Sequence, residues 1–356
     1  MSSTPRDQEL CVFGHHIGDI CREIARQLEQ RTSRNRMCMF PIEDTSTFDL
    51  YEKQVQVFWT YKNYYYKNDA PDYASLPKPI STIIKYVNAM FANGDGIIIN
   101  NIVYRLLLTT VDPEEIMWYS FQAGIESIHA VAYNLIITSI ITNVEEQKEL
   151  FNAVSTLPSV KAISEWMKNM TYANIPRSDV LVAFACGEGL LFPTSFVPIF
   201  YMRIKNKMQV MVDVNKEISR DESLHFEQAI NLIKRTNISK ERITEIVKEF
   251  TSLLFDYIND MTVELENATH EQLIGTDGTD YSDFRRSELM AFAEYNADAM
   301  LQRLGCNTLY NANVELLPQW LLSLSCGHKN NFHERPSVNY VQGSDVAIVD
   351  DIDYDV

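Results

Sequence analysis

An all-α fold built around a buried metal site is the architecture this sequence predicts, and three observations predict it. The stretch from Ser120 to Tyr133 sits in a proline-free run from about Glu114 to Thr142 and carries Glu126, His129 and Tyr133 three and four residues apart. On a helix that spacing stacks the three side chains along one face. A second long run repeats the pattern as Glu222-Ser223-Leu224-His225, and of the seven histidines only His129 and His225 have a glutamate three residues before them. Glycine and proline number only 12 each in 356 residues, as suits helices, and no region reads as strand.

A buried glutamate beside a buried histidine is costly unless something pairs them. A divalent metal does so. Dinuclear four-helix bundles take one Glu-x-x-His from each of two helices and one carboxylate from each of two more. Two lone acids in apolar runs supply the remainder: Asp95 between Met90 and Ile99, and Glu188 between Val180 and Phe192. The predicted metal ligands are therefore Asp95, Glu126, His129, Glu188, Glu222 and His225. Carboxylates and imidazoles suit iron or manganese, and a set without cysteine argues against structural zinc.

Net charge −17 and a pI near 4.8 argue against nucleic acid or an anionic membrane surface as partner. No uninterrupted apolar run is expected to span a bilayer, and the first residues lack a signal-peptide pattern. Six cysteines (11, 21, 38, 186, 306 and 326) show neither metal nor disulfide spacing, which implies reduced thiols in the cytoplasm.

Along the chain, residues 1–39 read as a mobile arm, 40–325 as the helical domain and 326–356 as a flexible tail. Residues 47–62 are helix-like, with Tyr51, Val55 and Phe58 on one side and Trp59 near the end. Residues 62–76 are tyrosine-rich and turn-like. Residues 80–107 form the helix of Asp95, where Gly94 and Gly96 offer a neighbour close approach at a cost in propensity. Pro113 starts the Glu126 helix. Met117, Phe121, Ile125, Ile128, Ala132 and Ile136 make that helix apolar, so its functional face is expected to be buried. Two amphipathic helices follow, at 144–157 and 159–170. Residues 178–203 hold Glu188, and Pro193 and Pro198 there should kink the helix or force a bulge. Residues 208–236 hold Glu222 and His225. Ser239 caps the next helix, 275–280 is a loop, and the last long helix, 281–304, ends at Gly305.

Tyr133 lies one turn beyond His129, displaced about 6 Å along the axis. Any one of 18 tyrosines is ordinarily a core residue, but this one is placed to lose an electron and a proton to an oxygen-activating metal pair. Phe192, Phe196 and Ile218 should point to the same region and form an apolar cage. After Pro336 no lysine or arginine follows, and acids alternate with apolar residues to Val356. This pattern fits a segment that folds on a partner, or else a solubilising tail.

From Met39 to about Tyr340 the sequence resembles the small, radical-generating subunit of class I ribonucleotide reductase, in its eukaryotic and viral branch. The resemblance is carried by Met39-Phe40-Pro41-Ile42, Phe58-Trp59-Thr60, Asp95-Gly96, Phe121-Gln122 through Tyr133, Val182-Ala183-Phe184 through Glu188-Gly189, and Ile218-Ser219-Arg220-Asp221-Glu222 through His225. It implies a ferritin-like helical bundle, a homodimer, and two iron ions per chain (or manganese) on the six ligands. It also implies a radical on Tyr133, and an electron and proton path through Trp59, Asp221 and His129. Tyr340 would link that path to the large catalytic subunit, which the C-terminal tail would dock. The alternative is a ferritin-like metal oxidase or iron-storage protein, which needs neither Trp59 nor Tyr133 nor the tail. The chain departs from the pattern at residues 61–66, Tyr-Lys-Asn-Tyr-Tyr-Tyr, where relatives are acidic, and at its end, Tyr354-Asp355-Val356.

Overall fold

The computed structural model describes residues 36–324 apart from positions 37, 173 and 323. Tyr340, the tail and nearly all of the arm lie outside the described residues. Arg36, at the arm's end, forks onto both carboxylate oxygens of Glu114 at 2.8 and 2.6 Å.

Ten main helices make the fold: α1 Thr45–Gln56, α2 Lys78–Asn101, α3 Pro113–Ile140, α4 Val144–Phe151, α5 Pro158–Tyr172, α6 Arg177–Cys186, α7 Phe192–Ile204, α8 Gln209–Ile233, α9 Lys240–Glu266 and α10 Arg286–Arg303. Among the described residues the only β-type pairing is one isolated bridge, Ile274 to Asp280, closing the expected loop. Helix α2 lies along α3, α8 packs on α6 and α7, and α9 backs the group against α2, α5, α6 and α10. The all-α, ferritin-like class is thus the observed one.

Local chemistry sets the ends. Asp44 caps α1 by accepting from Thr47 N, and Ser239 caps α9 by accepting from Arg242 N. Pro113 opens α3, and Glu114 and Glu115 in its first turn suit the positive end of the helix dipole. Gly305, at φ +72°, ends α10. Cys306 N bonds Leu301 O at 2.9 Å and Gly305 N bonds Gln302 O at 3.0 Å, the paired closure that a left-handed residue permits.

The irregularity expected near Glu188 is a π-helical turn, Gly187–Leu191, that joins α6 to α7. Pro193 follows at the start of α7, and Pro198 sits inside that helix. The close approach that the glycines beside Asp95 were expected to allow occurs elsewhere. A Cβ at Gly96 would meet nothing within 4 Å, and one at Gly94 would touch Phe192 at an ordinary 3.4 Å. At Gly189 it would lie 2.3 Å from the Phe226 ring, so no larger residue fits there.

Two expectations need correction, and α1 adds a detail. Val55 and Phe58 are exposed, and the buried residues of α1 are Thr47 and Gln54. That inward face is polar because it meets polar groups of α8: Gln228 donates to Thr47 Oγ1, and Gln54 meets His225. Residues 61–66 are not merely surface. Asn63, Tyr64 and Tyr66 are buried, and Tyr64 sets its ring edge against Trp59, with centroids 6.1 Å apart. On α3, Ile125, Ala132 and Ile136 are buried, but Met117 is 38% exposed and Phe121 and Ile128 are half-buried. Those three fall on a second stripe, Met117, Phe121, Gly124, Ile128, Val131 and Leu135, at alternating steps of four and three. It flanks the core face: Ile128 and Leu135 still pack against the core, while Met117 and Val131 are exposed.

Two helical runs, Pro113–Ile140 and Arg177–Ile204, are long and apolar enough to cross a membrane by length and composition, contrary to the sequence expectation. The second is wholly buried inside the fold, and both carry buried acids, Glu126 and Glu188. Among the described cysteines, Cys38, Cys186 and Cys306 are free thiols.

Candidate metal centre

Four helical runs deliver the six predicted ligands to one place. Asp95 comes from α2, Glu126 and His129 from α3, Glu188 from the π-helical turn, and Glu222 and His225 from α8. All six are buried, none more than 2% exposed. Their ligand atoms form two groups in which all atoms lie within 4.8 Å of one another: Asp95, Glu126, His129 and Glu222, and Glu126, Glu188, Glu222 and His225. Glu126 and Glu222 belong to both groups.

Both imidazoles turn Nδ1 toward the carboxylates. His129 Nδ1 is 3.3 Å from Glu126 and 3.1 Å from Glu222. His225 Nδ1 is 2.8 Å from Glu222 and 3.0 Å from Glu126. These approaches leave much unsatisfied. Both oxygens of Asp95, one each of Glu126, Glu188 and Glu222, and His129 Nδ1 are buried without a hydrogen-bond partner. The His129 contacts are near enough for ion pairs but misaligned for hydrogen bonds. Such orphaned atoms are rare in folded proteins, and here they converge. Four carboxylates carry the charge that two divalent cations cancel, so the residues fit a dinuclear centre of hard or borderline ions.

Electrostatics agree. Burial pushes the Asp95 and Glu188 carboxyls well above their usual range, and neighbouring carboxylates add to it. Burial would lower His129 and His225. The hydrogen bond with Asp221 and the site glutamates instead raise His129 well above its usual value, and Glu126 and Glu222 raise His225 to about 9. Burial would raise Glu222, but the two imidazoles hold it below the carboxylate range. Raised carboxyls and imidazoles of this kind hold protons that compete with a metal. A metal must displace them, so its affinity climbs with pH.

The sequence matches the family "Ribonucleotide reductase, small chain" over residues 36–317. The chain belongs to that family. Among relatives, the ribonucleoside-diphosphate reductase small chain of Nicotiana tabacum is 32% identical over 316 residues, covering 88% of this chain and 91% of its own. That of Variola virus is 30% identical over 304 residues, covering 85% and 90%. Among solved structures, the dimanganese(II)-NrdF of Streptococcus sanguinis superposes with TM-score 0.67 at 20% identity over 81% of this chain and 98% of that one. The Rnr4 homodimer of Saccharomyces cerevisiae gives 0.67 at 20% identity over 86% and 94%. These two likenesses support the fold.

In this small chain Trp59 lies in the extended segment after α1, 2% exposed. Its Nε1 donates to Asp221 Oδ2 at 2.7 Å, and the same oxygen is 3.1 Å from His129 Nε2. The indole also stacks on the His129 ring, with centroids 5.9 Å apart. A continuous contact therefore runs from Trp59 to a predicted metal ligand.

Tyr133 is fully buried, and its hydroxyl donates to Asn215 Oδ1 at 2.7 Å. Burial, then the charges of Asp95 and Glu222, hold its phenol well above the usual value. The ring lying on Tyr133 is Phe91, parallel at 4.6 Å. Phe192 and Phe196 pack against Phe91 at 5.4 and 4.9 Å, so they form a second layer of the predicted cage. Ile218 is buried three residues after Asn215 on α8.

Sequence reasoning gave no role to five residues around the centre, although it quoted Gln122 in the resemblance. Phe91 is one turn before Asp95, and Asn215 two turns before Glu222. Gln122, one turn before Glu126, donates to Glu126 Oε1 at 3.3 Å and Glu188 Oε1 at 3.2 Å. Trp118, one turn earlier still, donates to Gln122 Oε1 at 2.9 Å. Helical spacing from the ligands marks all four. Nothing comparable marks Gln54.

Proposed function

We propose that this chain is the radical-generating small subunit of a ribonucleoside-diphosphate reductase, holding two iron ions and storing an oxidising equivalent on Tyr133. One observation carries the reading: two ligand groups that share Glu126 and Glu222 and leave buried atoms unsatisfied. When bound, the metal pair supplies the redox chemistry that activates dioxygen. The protein's part is positional. Asp95 and His129 would hold one ion with the shared Glu126 and Glu222, and Glu188 and His225 would hold the other. Gln122 ties Glu126 to Glu188. Tyr133 would yield an electron and its phenolic proton to the oxygen-oxidised metal pair, with Asn215 fixing the hydroxyl and the Phe91, Phe192, Phe196 and Ile218 layers excluding water. Trp59 and Asp221 carry charge between His129 and the surface, and Tyr340 continues that path. The acidic, apolar-spaced C-terminal tail docks the large catalytic subunit, where ribonucleotides are reduced. A ferritin-like oxidase has no use for the Trp59–Asp221–His129 chain, which favours the reductase.

Anaerobic loading with ferrous iron should give two ions per chain, and oxygen should then produce a tyrosyl electron paramagnetic resonance signal. Saturation at one ion or none, or two ions without a radical, would sink the reading.

We further propose that the outer stripe of α3 joins two copies as a homodimer. It runs about 27 Å from Met117 to Leu135, and Phe58, 54% exposed, extends it beside Phe121. An apolar strip of that length on a surface marks an interface, and the structurally similar yeast Rnr4 protein is described as a homodimer. Val131→Asp places a charge within the stripe. It should weaken dimerisation by at least ~2 kcal/mol, about thirtyfold, without changing metal content. Sedimentation velocity reads the outcome, and an unaltered dimer moves the interface elsewhere.

A further inference from the structure

The two histidines of the centre are backed differently. His129 Nε2 faces a carboxylate, Asp221 Oδ2, at 3.1 Å. His225 Nε2 faces a neutral amide: Gln54 Nε2 lies 2.5 Å away. Gln54 is fully buried in α1, and its Oε1 has no hydrogen-bond partner. A buried amide with its acceptor orphaned and its nitrogen against a ring nitrogen is the pattern that a flipped side chain leaves. Turning the amide about its last bond puts Oε1 on His225 Nε2 and satisfies both.

That turn has chemical meaning. His225 directs Nδ1 at Glu126 and Glu222. When Nδ1 holds a metal, a neutral imidazole carries its proton on Nε2 and must donate it. We propose that Gln54 is the positioning residue for His225: its Oε1 accepts the Nε2 proton, fixes the tautomer with Nδ1 free for metal, and holds the ring plane. This rests on the dinuclear reading above. Ligating histidines are commonly oriented this way, and losing the partner lowers metal affinity about 10–100-fold. Gln54 is thus the counterpart of Asp221 at the other ring, with one difference. Asp221 also serves Trp59, whereas Gln54 serves its histidine alone.

The test is an anaerobic ferrous-iron titration in competition with a chelator, on wild type, Gln54→Met and Gln54→Glu. Methionine keeps the length and apolar bulk but cannot accept the proton; glutamate keeps the acceptor. Gln54→Met should weaken one of the two ions about 10–100-fold and leave the other within about threefold. Gln54→Glu should retain both. In a Glu188→Ala background, which removes the His225 position, Gln54→Met should have no further effect, because the pair acts on one ion. A merely structural glutamine predicts the opposite: both ions weakened together, no rescue by glutamate, and additivity with Glu188→Ala. Any of those results, or wild-type affinities in Gln54→Met, overturns the assignment. A wild-type protein that binds fewer than two ions overturns the dinuclear reading itself, and the inference with it.

Discussion

Glu222→Ala is expected to abolish loading at both metal positions, whereas Glu188→Ala is expected to leave one ion. The difference follows from sharing. Glu222 lies in both ligand groups and Glu188 in only one. Removing Glu222 also strips His129 and His225 of carboxylate contacts at 3.1 and 2.8 Å. Breaking a buried ion pair from one side leaves an uncompensated charge and costs about 3–5 kcal/mol, so this variant should also melt earlier. Glu188 sits farther from His225, at 3.9 Å, and its loss leaves Asp95, Glu126, His129 and Glu222 intact. Iron per chain after anaerobic loading and desalting reads zero against one. Two ions retained by Glu222→Ala would mean that Glu222 does not bridge.

The second large effect is at Tyr133. Tyr133→Phe should fold, load two irons and lose the radical and all reductase turnover. The phenyl ring keeps its stack on Phe91. What disappears is one hydroxyl, which leaves Asn215 Oδ1 without the donor it had at 2.7 Å, a cost of roughly 1–3 kcal/mol. Stability therefore shifts modestly while function is eliminated. A paramagnetic resonance spectrum unchanged in the phenylalanine variant would assign the radical to another tyrosine.

The contrast between those variants reflects what the sequence made legible. Side chains three and four apart on long helices were placed correctly relative to one another, because helical geometry fixes them. Glu126, His129 and Tyr133 share a face, and so do Glu222 and His225. Lone acids in apolar runs were equally readable, since burial of Asp95 or Glu188 demands a partner. Helix facing was harder. The α3 helix is apolar nearly all round, so its period did not separate the core stripe from the outer one. On α1 the sequence groups Tyr51, Val55 and Phe58 on one side, and the helix turns Thr47 and Gln54 inward to meet Gln228 and His225. Contacts across the chain, such as Gln54 with a residue 171 positions away, have no local signature. The tyrosines of residues 61–66 read as loop, because nothing in their order tells that Trp59 waits beside Tyr64.

The Gly189–Phe226 contact has a consequence for the metals. Gly189 follows Glu188, and Phe226 follows His225, both predicted ligands. The ring presses on bare backbone, so the π-helical turn bearing Glu188 and the helix bearing Glu222 and His225 meet at a hydrocarbon stop. Protein interiors resist compression, and a stop of this kind works as a gauge. It fixes the spacing between Glu188 and the Glu222–His225 pair, and it does so without using a polar atom. If Glu188 and His225 hold an ion as proposed, it would meet a span already set, and little of its binding energy would go into drawing the helices together.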